Sequence, residues 1–127
     1  MIKAKAILTA FHSFHDHGDT LKVRPIEFDD TAKDDMDTVF EAAFYHGQNE
    51  VQRVAGCYSV SCGDVIEIVC NGSPMWRVVE SYGFSAPMTR IGTLKFIRAA
   101  LRDRADRQGV AVPAYTLRIA KDALRAD

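Results

Sequence analysis

The sequence predicts an α+β fold, a small antiparallel sheet packed by helices, and three features carry that expectation. Apolar residues alternate over Ile2 to Phe11 and recur over Leu21 to Ile26, as strands require. A β-branched run, Val65, Ile66, Ile68 and Val69, is followed by Asn71-Gly72, the pair favoured in a type I′ hairpin because both positions take positive φ. Met36 to Phe44 and Ile91 to Ala105 instead space their apolar residues three and four apart, the period of an amphipathic helix. With 127 residues, 47% hydrophobic and 26% charged, the chain is long enough to bury one core without disulfides or a structural metal, and a single domain over 1–127 is expected.

The elements follow in order. Ile2 to Phe11 is the first strand; Thr9 and the histidines stand where a secretory signal would carry a longer apolar segment and a small-residue cleavage site. After a turn at Gly18, the residues Leu21, Val23, Pro25 and Ile26 suggest a second strand. Asp29, Asp30 and Thr31 are N-cap candidates for a helix whose apolar stripe is Met36, Val39, Phe40, Ala43 and Phe44, closed by His46-Gly47. The acidic residues Asp34, Asp35, Asp37 and Glu41 suit its solvated face and the positive end of its dipole. The central hairpin returns through Trp76, Val78 and Val79, with Pro74 marking an edge or a bulge, and Ser81 to Pro87 reads as a loop. Ile91, Leu94, Ile97, Leu101 and Ala105 line one side of a second helix ended by Gly109, with Lys95, Arg98 and Arg102 on the other side. After Pro113, Leu117, Ala120 and Leu124 space as a short last helix. The expected architecture is therefore an N-terminal hairpin and a central Asn-Gly hairpin in one sheet, covered by an acidic helix and a C-terminal helical pair.

Charge divides the chain. Residues 1–88 hold 7 basic and 13 acidic side chains and residues 89–127 hold 9 and 4, so the net runs from −6 to +5. Two explanations stand side by side: neutralisation within the fold or across an oligomer, and a basic end that meets an acidic partner such as nucleic acid. Opposite charge at the two ends would also permit head-to-tail or symmetric pairing. No apolar run approaches the roughly 20 residues of a membrane helix. Cys57, Cys62 and Cys70 match neither a disulfide framework nor zinc-site pairs, which suits a reducing cytoplasm, and Cys57 and Cys62 read as core or near-core thiols.

Several residue groups admit both a chemical and a structural reading. His12, His15 and His17 lie beside Asp16 and Asp19 and could hold a metal for hydrolysis, with His46 as a further ligand. The simpler reading makes Asp16, Gly18 and Asp19 turn residues and the histidines polar side chains at a hairpin tip. Ser61 and Cys62 lack a nucleophile elbow or a Cys-His constellation, and no phosphate-binding loop or dinucleotide fingerprint occurs, so no cofactor is implied. The segment from Arg104 to Arg125 offers a helix-turn-helix reading, with Ala105, a turn at Gly109-Val110 and Arg118, Lys121 and Arg125 on the second helix; Arg98 and Arg102 would add to its basic face. Against it, Arg104 and Gln108 stand where such motifs want apolar residues, and Val112-Pro113 lengthens the turn.

Gly47-Gln48-Asn49, Gln52, Ser59 to Ile66 and Gly83-Phe84 together resemble a signature of small proteins from bacteriophages and conjugative elements, described as YodL-like. The resemblance covers about residues 38–84; Cys62 departs from it, standing where a small or aliphatic residue is more usual. It implies a mobile-element accessory protein in the cytoplasm of a bacterial host, with no catalytic residues to carry over. The leading expectation is a non-enzymatic inhibitor of a host defence protein, of the anti-restriction or anti-CRISPR kind. Its acidic face, Asp29, Asp30, Asp34, Asp35, Asp37 and Glu41, would imitate nucleic-acid phosphates. The alternatives are a DNA-binding regulator using the basic C-terminal helices and a histidine-metal hydrolase.

Overall fold

Turn chemistry and strand period fix the sheet. The computed structural model describes residues 2–14, 21–29 and 35–125. Its elements are β1 (Ile2–Leu8), β2 (Lys22–Phe28), α1 (Met36–His46), β3 (Val65–Cys70), β4 (Ser73–Glu80), β5 (Gly83–Phe84), α2 (Arg90–Gln108) and α3 (Ala114–Ala123). The five strands form one antiparallel sheet in the order β2-β1-β3-β4-β5, so the fold is α+β. Asn71 at φ 53° and Gly72 at φ 78° turn β3 into β4, the positive-φ pair that a type I′ turn requires.

Period-two alternation gives the sheet two apolar faces. Ala6, Leu8, Ile26, Phe28, Ile66, Ile68 and Val79 meet Val39, Phe40 and Ala43 of α1 on one side. Ile7, Val65, Trp76 and Val78 meet Ile97, Leu101, Ala120 and Leu124 of α2 and α3 on the other. The acidic helix and the basic helical pair therefore lie on opposite faces. The ion pairs Arg77–Asp37 at 2.6 Å, Arg107–Asp103 at 2.9 Å and Arg125–Asp122 at 3.4 Å each stay within their own half of the chain.

Three expectations need correction. β1 ends at Leu8, because Thr9 and Ala10 turn their backbone N–H groups onto Asp64 at 2.8 and 2.9 Å instead of continuing the ladder. In β2, which forms where expected, Arg24, Ile26 and Phe28 face α1, and Val23 and Pro25 lie on the other face. The α1 N-cap is Asp35, whose carboxylate accepts from Asp37 N and Thr38 N at 3.1 and 3.4 Å; Asp29 lies well upstream, and Asp30 and Thr31 fall outside the described residues. The expected loop Ser81 to Pro87 contains β5, which pairs Phe84 with Val79. Pro25 lacks an N–H and sits on β2, an edge strand, where that costs no ladder bond. Among the described residues no helix is long and apolar enough to cross a membrane.

Candidate functional site

The segment between α1 and β3 has no regular structure, yet polar side chains bond it throughout. Gln48 Nε2 donates to Phe44 O at 2.9 Å and Val60 O at 3.0 Å. Asn49 receives Arg24 Nη1 on Oδ1 at 2.7 Å, donates Nδ2 to Cys57 O at 3.0 Å, and donates its backbone N–H to Ser59 Oγ at 2.9 Å. Gln52 seals the open edge of β2: its Nε2 donates to Glu27 O at 2.9 Å and its Oε1 accepts from Glu27 N at 3.2 Å, the pair of bonds a further strand would make. Gln48, Asn49, Gln52 and Ser59, which belong to the resemblance, thus help to hold this loop.

Two buried ionisable residues anchor it. Arg24 is fully buried and donates to Asn49 Oδ1, to Tyr58 O at 3.1 Å and to Gln52 O, all neutral acceptors; burial lowers its pKa, and the nearby Cys57 opposes that. Asp64 accepts from Thr9 N, Ala10 N and the Tyr58 hydroxyl on Oδ1, and from Ser61 N on Oδ2 at 2.9 Å. Burial raises the Asp64 pKa against these donors, and burial followed by the Asp64 charge raises that of Tyr58. The sequence pattern marked Asp64 only as a turn residue. Arg24 carried no signal at all.

On the α1 side, the acidic residues are partly committed. Asp35 caps the helix and also accepts from Thr38 Oγ1 at 2.8 Å, bonds that lower its pKa, the side-chain bond most. Asp37 pairs with Arg77, whose guanidinium also stacks over Phe40 and Phe84 at 5.1 and 5.4 Å. Glu41 and Asp29 are exposed, and Asp30 and Asp34 lie outside the described residues.

The opposite face holds more uncommitted charge. Thr89 caps α2 by accepting from Gly92 N at 3.0 Å, and Gly109, at φ 72°, ends the helix. Arg90 Nε donates to Leu124 O at 2.8 Å and ties the start of α2 to the end of α3, so the two helices run antiparallel. Between them lies a groove of about 530 Å³ lined by Arg98, Arg102, Ala105, Asp106, Val110 to Val112 and Leu117. Arg98 and Arg102 stand one turn apart on α2, and Lys121 lies one turn beyond Leu117 on the same side of α3. Arg98, Arg102, Arg118 and Lys121 are exposed and take part in no ion pair among the described residues. Arg125 lies past the α3 cap, pairs with Asp122 and lines a different cavity.

Of the histidines, His15 and His17 lie outside the described residues. His12 is buried edge-on against Phe14 at 4.4 Å, and its carbonyl accepts from Gln108 Nε2 at 3.1 Å; His46 stacks on Phe28 at 5.3 Å. Among the described residues no group of three His, Cys, Asp or Glu side chains could hold a metal. Cys57 and Cys70 are half-buried, and Cys62 is exposed beside Ser81 Oγ at 3.8 Å, so the expectation of a near-core thiol fails for Cys62. No family model, curated protein or solved structure matches this chain.

Proposed function

We propose that this protein acts by binding, as an accessory protein of a phage or conjugative element, and that it holds nucleic acid with the α2–α3 face. One observation carries the reading: Arg98 and Arg102, which line the groove, and Arg118 and Lys121 on α3 are exposed cations that take part in no ion pair among the described residues. Ion-paired surface charge has little left to offer a ligand, whereas unpaired cations attract phosphates and release counterions on contact. The residues are those of the helix-turn-helix reading, less Arg125, on helices joined by a five-residue connection, 109–113.

Four such cations set the expected salt dependence. For duplex DNA, the logarithm of the binding constant should fall with the logarithm of salt at a slope of roughly −3 to −4. Fluorescence anisotropy of labelled duplex across a salt series measures it. Replacing Arg98 and Arg102 with alanine should cut the slope by about 2, since two phosphate contacts are lost. No duplex affinity at low salt, or an unchanged slope in the double variant, rejects the reading.

The inhibitor reading keeps its own support. The acidic residues of α1 lie across the sheet from the basic helices, so a basic host protein could be engaged without meeting the groove cations. A pull-down from bacterial lysate at low and high salt, with nuclease treatment, separates the two. A discrete, salt-sensitive protein partner that survives nuclease favours the inhibitor, and recovery of nucleic acid alone favours the groove.

A further inference from the structure

The divided charge of the chain is not neutralised within the fold. Among the described residues the ion pairs Lys5–Glu67, Arg77–Asp37, Arg107–Asp103 and Arg125–Asp122 each join residues of one half. The acidic helix and the basic helical pair lie on opposite faces of the sheet. Exposed charge of each sign is thus left over, on surfaces that cannot meet within one molecule.

On the α1 side part of that excess borders a concavity. Glu41 and Phe44, one turn apart on α1, meet Val79 and Glu80 at the end of β4 and Phe84 of β5 around a cavity of about 260 Å³. Val79 is buried and the two rings are half-buried, so the floor is apolar, while Glu41 and Glu80 are exposed at its rim. Neither carboxylate takes part in an ion pair or hydrogen bond among the described residues. Carboxylates beside aromatic rings suit a cation, which gains both from their charge and from the ring faces. An adjoining contact shows that chemistry in this fold: the Arg77 guanidinium lies 5.4 Å over the Phe84 ring while it bonds Asp37 at 2.6 Å.

We propose that this cavity receives Arg98 or Arg102 from the α2–α3 face of a second copy of the chain. The two arginines stand one turn apart, exposed and in no ion pair among the described residues, and they present two guanidinium groups to two carboxylates. Donor and acceptor surfaces lie on opposite sides of the sheet, so each pairing leaves one of each unfilled. Copies therefore join head to tail and extend beyond a dimer. The same arginines line the nucleic-acid groove, yet the pairing needs no nucleic acid, and either reading can fail alone.

Sedimentation velocity of the full chain, freed of nucleic acid, tests it. At about 0.01 M salt, where charges act over about 30 Å, the weight-average mass should rise with protein concentration past that of a dimer. At about 1 M, where they act over about 3 Å, the chain should sediment as a monomer. Glu41→Gln with Glu80→Gln, and Arg98→Ala with Arg102→Ala, should each give a monomer at low salt; all four positions are exposed, and unchanged unfolding midpoints show that the variants fold. Mixed in equal amounts, the two variants should recover a dimer and nothing larger, because one intact cavity then meets one intact basic face. A wild-type chain that is monomeric at low salt, association that survives either double substitution, or a mixture that stays monomeric would each overturn the proposal.

Discussion

Arg24→Met is the sharpest probe of the scaffold, because Arg24 joins β2 to the loop between α1 and β3 through three acceptors. Its removal takes the donor from Asn49 Oδ1, Gln52 O and Tyr58 O, which lie in part-buried bonds. At up to about 1–3 kcal/mol for each acceptor left unsatisfied, the gross loss is at most about 3–9 kcal/mol. An opposing effect comes from the guanidinium itself. It is fully buried with only neutral acceptors, and desolvating it costs several kcal/mol that methionine does not incur. The balance is a destabilisation of about 2–4 kcal/mol, a large part of the stability of an ordinary domain. With a urea dependence of about 2 kcal/mol per molar, the midpoint should fall by about 1–2 M. Arg24→Lys should lose at least as much, since a compact ammonium on a different stem cannot reach three separated acceptors. Urea unfolding followed by circular dichroism gives the numbers. A midpoint for Arg24→Met equal to or above wild type would mean that the desolvation cost prevails and that Asn49, Ser59 and Gln48 hold the loop without the arginine.

Two further outcomes test neighbouring parts of the scaffold. Burial raises the Asp64 pKa above its unfolded value of roughly 3.9, so its contribution to stability is full below that pH and declines as pH rises through the raised value. Asp64→Asn should remove this component, and unfolding curves for the two proteins that stay parallel from acid to neutral pH would contradict it. Gly47 has an ordinary φ of −79°, but a Cβ there would stand 2.5 Å from Val60 Cγ2. Gly47→Ala should therefore cost about 1–3 kcal/mol by crowding alone, measurable by chemical denaturation, and should be largely relieved by Val60→Ala in the same chain.

How far the sequence revealed this molecule depends on whether local chemistry or long-range contact decides each feature. The Asn71-Gly72 hairpin and the end of α2 at Gly109 were legible because backbone conformation singles out those residues. The N-cap of α1 was not, since several nearby acidic residues qualify equally and only the path of the chain selects Asp35. The inward place of Arg24 on β2 was not legible either, because its acceptors come from a loop distant in sequence. The basic residues of the groove were all visible as a helical charge pattern. Their lack of acidic partners was not, because pairing across helices leaves no trace in spacing.

The same commitments decide how the acidic face can be tested. Neutralising Asp34, Asp35 and Asp37 together would confound recognition with folding, because Asp35 closes the first turn of α1 and Asp37 holds Arg77 against Phe40 and Phe84. Glu41 is exposed on the same helix, with no ion pair or hydrogen bond among the described residues. Glu41→Gln should therefore leave the unfolding midpoint unchanged while weakening any partner held through that face, and the loss should shrink as salt is added. Asp35→Asn retains a cap-competent side chain and isolates charge at the second position. If the captured partner binds both variants as it binds wild type, across the salt series, phosphate imitation by α1 fails.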